Sequence, residues 1–447
     1  MGIKQRADKI LAEIALNQGV LNEFNTLFRA YNGNIDQAFE NRLAFIKSSQ
    51  AKRDFRAFKS SDNVFKQTVE KQSIIYTMEI ERLFTKNQEL YDWYIKVLNI
   101  NTVLQKASEL VNATGACFLE LKLNKKLGIP KLVAVPNDRI WVTSEDCEDP
   151  TNPSTFVKIV KELELSVEDA KIFSHGVRYI IYTEEEIYGL DCYFPRDTKK
   201  PNKKVWTDQE ANDWGFVPLI YVNRDDFNII PEINSEDRDI VINPTLQMTS
   251  GQIASWYQSN PMRVFKNVDT KKLKKDLNPG SFISIQAPEG SDKDPDFKIY
   301  PSTLDLKAQS DFIQFQTDNY RMNKHVPKAK DATTNKSGTA LRAEGEDTIE
   351  FRKRMINLWT EAEFMLWNKV PLFHNWLISH ANSKLNMDMP RTAFKEGLIL
   401  PEITFEFPSV ASEQENDIRD NSQGDNDGSK ETKKSGSKEE SGSKCTK

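Results

Sequence analysis

Apolar residues recur every three to four positions through most of the first 113 residues. Ala7, Ile10, Leu11 and Ile14 share one stripe, and Leu21, Phe24, Leu27 and Phe28 another; this spacing predicts amphipathic helices. Asn32-Gly33-Asn34 reads as a turn, Ile35–Ile46 as renewed helix, and Val69–Phe84 and Leu90–Val111 as two more. Lys, Glu and Gln fill the opposite faces, as in helices with one dry side. At Gly115 the period changes to two. Cys117–Leu123, Lys131–Val135, Arg139–Val142, Phe156–Leu165, Val177–Tyr182, Ile187–Phe194 and Val217–Val222 read as short strands. The charged stretch Pro195–Asp213 reads as a loop.

From Asn234 the helical pattern returns. Asn243-Pro244 has the form of an N-cap followed by a first-turn proline, opening a helix to about Ser259. Its large apolar positions are few (Leu246, Met248, Ile253, Trp256, Tyr257), so much of its circumference faces water or copies of itself around a wet lumen. Pro261–Pro301 interrupts the helices, with Phe282–Gln286 and Phe297–Tyr300 as strands across a turn at Pro288–Asp292. Ser302-Thr303 then caps a helix to His325, with Leu304, Ala308, Phe312, Phe315 and Met322 on one face. A small-residue basic loop, Val326–Ala340, leads into a long helix, Leu341–His380, whose seam is Ile349, Ile356, Trp359, Leu366, Phe373 and Leu377. Pro371 removes a hydrogen bond from that helix and is expected to kink it. Ile403–Phe407 reads as a strand, and the Ser-, Gly-, Asp- and Lys-rich tail 411–447 as disordered. The fold class expected is α+β.

Composition narrows the function more than the fold. The 447 residues carry a net charge of −5, which argues against a surface that coats nucleic acid all over. Any such contact has to be local. The loop and its flanks supply it: Lys324, His325, Lys328, Lys330, Lys336 and Arg342, with little apolar content to bury. A loop of this length without structure of its own, set between two long helices, is usually functional. A second basic cluster, Lys271, Lys272, Lys274 and Lys275, precedes the strands of the interruption.

Catalytic signatures are missing. There is no phosphate-binding GxxxxGK[ST], no HExxH, no GxSxG and no EF-hand loop. His175, His325, His374 and His380 are scattered, and Glu184-Glu185-Glu186 reads as a solvated turn. Cys117, Cys147, Cys192 and Cys445 fit neither a zinc site nor a disulfide framework and are expected to be reduced thiols. Asn112-Ala113-Thr114 and Asn335-Lys336-Ser337 match the glycosylation pattern, but no secretion signal accompanies them. Met1-Gly2 lacks the Ser or Thr at position 6 that acylation requires, and no apolar run is long enough to span a membrane. The expectation is a non-enzyme with no cofactor and no metal, made in a cytoplasm-like setting.

In this order the elements resemble the portal protein of tailed bacteriophages. Val111–Phe118 resembles that family's helix-to-strand passage, Val133–Ile140 its proline-marked strand pair, Phe216–Ile220 the short strand before its stem, and Ser337–Arg342 the segment between tunnel loop and long helix. The likeness covers roughly residues 90–410. It implies a portal-type fold: a wing at 1–233 (helical 1–113, β-rich 115–222), stem helices at 234–260 and 302–325, a clip at 261–301 and a tunnel loop at 326–340. A long kinked helix with a crown-side segment would follow at 341–410.

It further implies a ring, usually of twelve copies, at one capsid vertex, assembled in the host cytoplasm and carried in the virion. Double-stranded DNA would pass through without being read in sequence, gripped by Lys324, His325, Lys328, Lys330, Lys336 and Arg342. The partners implied are the terminase large subunit and a head–tail connector at the clip, near Lys271–Lys275, and the major capsid protein or scaffold. No membrane is implied. Two other readings stay open: a minor head or head–tail adaptor protein, and a nucleic-acid enzyme with an unrecognised metal site.

Overall fold

The computed structural model describes residues 3–59, 63–77, 80–143, 153–165, 168–195, 201, 203–212, 214–225, 227–259, 262–269, 288–290, 294–300, 305–326, 338–380, 385–394 and 401–405. The described fold mixes helix and sheet, 50% helical and 23% strand, as an α+β chain.

Helices α1 (Ile3–Leu16), α2 (Gln18–Tyr31), α3 (Asp36–Leu43), α4 (Ser49–Ala57) and α5 (Val64–Gln72) open the chain, followed by strand β1 (Ile80–Leu83). Ser48 and Asn63 cap α4 and α5 by accepting from the Ala51 and Lys66 amides at 3.2 and 2.9 Å. The expected helix Val69–Phe84 therefore ends early. Ile80–Leu83 is a strand because it pairs antiparallel with β12 (Glu402–Phe405) from the far end of the chain. Leu90–Val111 is also divided, into α6 (Gln88–Val97) and α7 (Ile100–Thr114), by Asn99 in the left-handed conformation at φ 48°. Gly115, at φ 85°, ends α7.

The β region forms two sheets. Strands β2 (Ala116–Asn124), β3 (Ile129–Pro136) and β9 (Leu219–Asn223) make a three-stranded sheet in the order β3-β2-β9. Strands β4 (Ile140–Thr143), β5 (Thr155–Leu163), β6 (Phe173–Tyr182), β7 (Glu186–Pro195) and β8 (Lys203–Ala211) make a five-stranded antiparallel meander, with the four-residue helix α8 (Asp169–Ile172) before β6. The central strand β2 is buried on both faces, which is why its first half reads as a dry run. Cys117, Leu119 and Leu121 join the main core, while Ala116 and Phe118 join a second core against Ile140, Val142 and Phe156. The other face of the meander takes Ala7, Ile10, Leu11 and Ile14 of α1. Strand β8 corrects the expected loop. It is an edge strand whose Trp206 packs partly buried against the core beside α1, and its charges hide the alternation while discouraging further strand pairing.

After β9 come α9 (Ser235–Ser259), strands β10 (Met262–Lys266) and β11 (Asp296–Tyr300), α10 (Leu306–Asn323) and the 43-residue α11 (Gly338–His380). Helix α9 starts well before Asn243-Pro244 and carries Pro244 in its interior. Ile240, Val241 and Ile242 are buried against the N-terminal helices, and that burial outweighs the local start signal. Strand β11 pairs antiparallel with Met262–Lys266; the expected strand Phe282–Gln286 lies outside the described residues. Asp305 caps α10 through the Lys307 and Ala308 amides; Ser302-Thr303 lies outside the described residues.

Helix α11 begins at Gly338, inside the expected loop, and continues through Pro371. Its buried seam is Met355, Trp359, Ala362, Leu366, Trp367, Val370, Phe373 and Leu377, whereas Ile349 is 43% exposed. This seam meets α6, α7 and the three-stranded sheet in the main core. At its centre Glu363, fully buried, accepts from Arg82 at 2.6 and 2.9 Å, from the Tyr76 hydroxyl at 3.0 Å and from the Trp367 indole at 3.1 Å. Among the described residues no helix is long and apolar enough to cross a membrane. The tail 411–447 lies outside the described residues.

Candidate functional site

Helices α9 and α10 form an antiparallel pair. Going forward along α9 from Glu236 and Asp237 to Gln247, the partners on α10 run backward from Asn323 and Tyr320 to Gln316 and Gln309. The seam is polar. Gln247 donates to Gln316 at 3.0 Å, and Gln309 donates to the Gln247 carbonyl at 2.6 Å. Gly251 permits the close approach there, since a Cβ on it would lie 3.1 Å from the Gln309 oxygen. Thr245 and Thr249 are fully buried on the opposite face of α9, the side of Ile242.

The apolar face expected on α10 points the other way. Phe312, Phe315 and Met322 are 50%, 60% and 47% exposed, and Trp256 on α9 is 52% exposed. The helix pair thus turns its amides inward and its aromatics outward, the reverse of a helix hairpin that is stable alone in water. At the far end from the β10–β11 hairpin the pair is locked. Lys324, 9% exposed, donates to Asp237 at 2.9 Å, and the Tyr320 hydroxyl reaches the same carboxylate at 2.8 Å. The buried Gln72 holds the Lys324 carbonyl at 2.6 Å. His325 follows in the left-handed conformation, φ 55°, stacked on Phe351 with ring centres 5.5 Å apart. Its carbonyl accepts from Thr348 of α11 at 3.1 Å.

These contacts sort the basic residues singled out in the sequence. Lys324 is mostly buried, with its ammonium in an ion pair with Asp237. His325 is exposed at the point where α10 hands the chain to the loop. Lys328, Lys330 and Lys336 lie outside the described residues, as do Lys271, Lys272, Lys274 and Lys275. Arg342 is on the first turns of α11, with its side chain outside the described residues.

Of the other candidates, His374 is fully buried between the Tyr94 hydroxyl at 2.8 Å and the Thr392 carbonyl at 3.0 Å; burial pushes its pKa down, against the pull of the Thr392 bond. His380 is exposed at the end of α11. Glu184-Glu185-Glu186 does sit at the β6–β7 turn, and Asn112 of the glycosylation-like triplet is buried, donating to Ser73 at 2.8 Å. Cys117 and Cys192 are buried free thiols. Among the described residues no group of three or more His, Cys, Asp and Glu side chains is arranged to hold a metal ion.

Sequence reading missed Asp237, Tyr320 and Arg224, which surround Lys324. No linear signal marks them, because α9 and α10 are separated by the β10–β11 segment and meet only in the fold. No family model matches the chain, and no curated protein matches it either.

Proposed function

We propose that this chain is the repeating subunit of a ring-shaped portal that conducts double-stranded DNA at one vertex of a tailed-phage capsid. The observation that carries this reading is the inverted helix pair α9–α10. Four large apolar side chains, Trp256, Phe312, Phe315 and Met322, stand about half exposed on a pair whose own seam carries Gln247, Gln309 and Gln316. Covering the exposed part of each is worth about 1 kcal/mol, and a neighbouring copy in a ring covers them repeatedly. A stem of such pairs leaves polar helix faces for a water-filled channel.

The order of elements supports the same reading: a two-sheet region, a first stem helix, a small hairpin, a second stem helix, a loop and a 43-residue helix that crosses back into the main core. In this reading the β10–β11 hairpin belongs to the clip, where the terminase large subunit and later a connector dock, with Lys271, Lys272, Lys274 and Lys275 nearby. The loop cations Lys328, Lys330 and Lys336, with His325 and Arg342, touch DNA phosphates without reading bases. Lys324 drops out of that set and becomes the latch that holds the loop's base.

Electron microscopy of the purified chain tests the proposal. Rings with a central channel are expected, and Phe312→Ser/Phe315→Ser is expected to shift the population to monomers. A wild-type chain that stays monomeric in every solvent condition sinks the reading.

A further inference from the structure

Arg224, just after β9, lines a cavity of about 520 Å³ between the end of α5, the end of α10 and the middle of α11. Its backbone N–H is fixed on the Gly115 carbonyl at 2.9 Å. Arg224 is partly exposed, and the protein packed around its guanidinium pushes its pKa down, against the pull of Asp237, Tyr320 and Asp225. Among the described residues no acceptor stands within hydrogen-bond distance of it.

The nearby carboxylates are already engaged. Asp237 is held by Lys324 and Tyr320. Asp225 accepts from the Phe227 and Asn228 amides and the Asn228 side chain at 2.9 to 3.1 Å. An arginine remains protonated in a protein, so its guanidinium keeps five N–H donors that meet no side-chain acceptor among the described residues. His325, Arg354 and Lys324 line the same space, Arg354 paired with the exposed Glu350 at 2.6 Å and Lys324 with Asp237, and Phe351 also lines it. Glu361 is the one carboxylate of the lining. A forked donor beside further cation-capable groups matches a tetrahedral dianion better than a single carboxylate, and the volume exceeds what an inorganic phosphate fills.

We propose that this cavity binds a phosphate group, carried either by free phosphate or by a nucleotide-sized molecule, with the Arg224 guanidinium as its principal ligand. The inference stands on the cavity and does not depend on the ring reading.

Isothermal titration of the full chain with sodium phosphate and with adenosine monophosphate, against sodium chloride at matched ionic strength, tests it. Binding of both phosphates and not of chloride is expected. Equal affinities point to phosphate alone, and tighter nucleotide binding points to the larger ligand. Arg224→Met is expected to weaken binding about ten- to a hundredfold, the loss of one charge-assisted pair of hydrogen bonds. Arg224→Lys, which keeps the charge without the fork, is expected to fall between. Since Arg224 makes no side-chain hydrogen bond among the described residues, both variants should melt as the wild type does in chloride. Should Arg224→Met misfold, a wild-type Arg354→Gln comparison still reports on the same cavity. Wild-type protein that binds phosphate no better than chloride, or an Arg224→Lys variant with unchanged affinity, overturns the proposal.

Discussion

Replacing Lys324 by Met separates the two roles that its position suggests. Methionine keeps most of the side-chain volume but leaves the Asp237 carboxylate, 5% exposed, without its ammonium. Removing one partner of a buried pair costs about 3–5 kcal/mol. Two contacts reduce that here: Tyr320 still donates at 2.8 Å, and Arg224 still attracts the carboxylate at longer range. The expected loss is about 2–3 kcal/mol. The latch joins the first turn of α9 to the end of α10, so the loss falls on local opening of that end. Native-state hydrogen exchange on the full chain reads it directly: the amides of the last turn of α10 should exchange about 30- to 150-fold faster. A triple change of Lys328, Lys330 and Lys336 to Gln should leave those amides alone while weakening retention of duplex DNA. Exchange in Lys324→Met within about twofold of wild type would refute the latch.

Three further outcomes are expected. Glu363→Leu strands Arg82 in the main core and should cost about 3–5 kcal/mol by urea denaturation, whereas Arg82→Met/Glu363→Leu should cost less than that single change; a double variant as costly as the sum of the singles contradicts this. Gly115→Ala places a Cβ 2.7 Å from the Pro231 Cβ at a φ of 85°, so a loss of about 2–4 kcal/mol should follow, and a melting temperature equal to wild type argues against it. Lys369 donates to the Val217 and Leu219 carbonyls at 3.0 and 2.7 Å, and burial pushes its pKa down to about 8, against the pull of Glu184. Between there and the ordinary lysine value the unfolded chain binds the extra proton, so this residue's contribution rises with pH across that window by about 3 kcal/mol and is at its minimum below it. Buried Cys117, its thiol pushed up by burial, works the opposite way above its ordinary value. The test is therefore the difference between wild type and Lys369→Met, which should change with pH above about 8; a pH-independent difference refutes it.

Helix stripes, the change of period at Gly115, most strands of the β region and the extent of α11 were legible because each depends on residues close in sequence. Trp359, Leu366, Phe373 and Leu377 fall where their spacing puts them. The misses share a cause. Strand β1 exists because residues from the far end of the chain pair with it, β8 because a neighbour supplies hydrogen bonds to a charged edge, and β10 because β11 returns to it. The early start of α9 depends on a surface for Ile240–Ile242 that other helices provide. The candidate site was half visible: the basic residues could be named, but not which of them were already paired.

The sequence alone determined the α+β class, the change from helix to strand at Gly115, and the basic composition of the stretch between α10 and α11. These follow from periodicity and turn chemistry, which act over a few residues. Only the tertiary structure decided that Lys324 is neutralised by Asp237, that the aromatics of α10 face outward, and that Arg224 meets no side-chain acceptor among the described residues beside a cavity. Pairing, exposure and desolvation are properties of what surrounds a side chain, and residues far apart in the chain supply those surroundings.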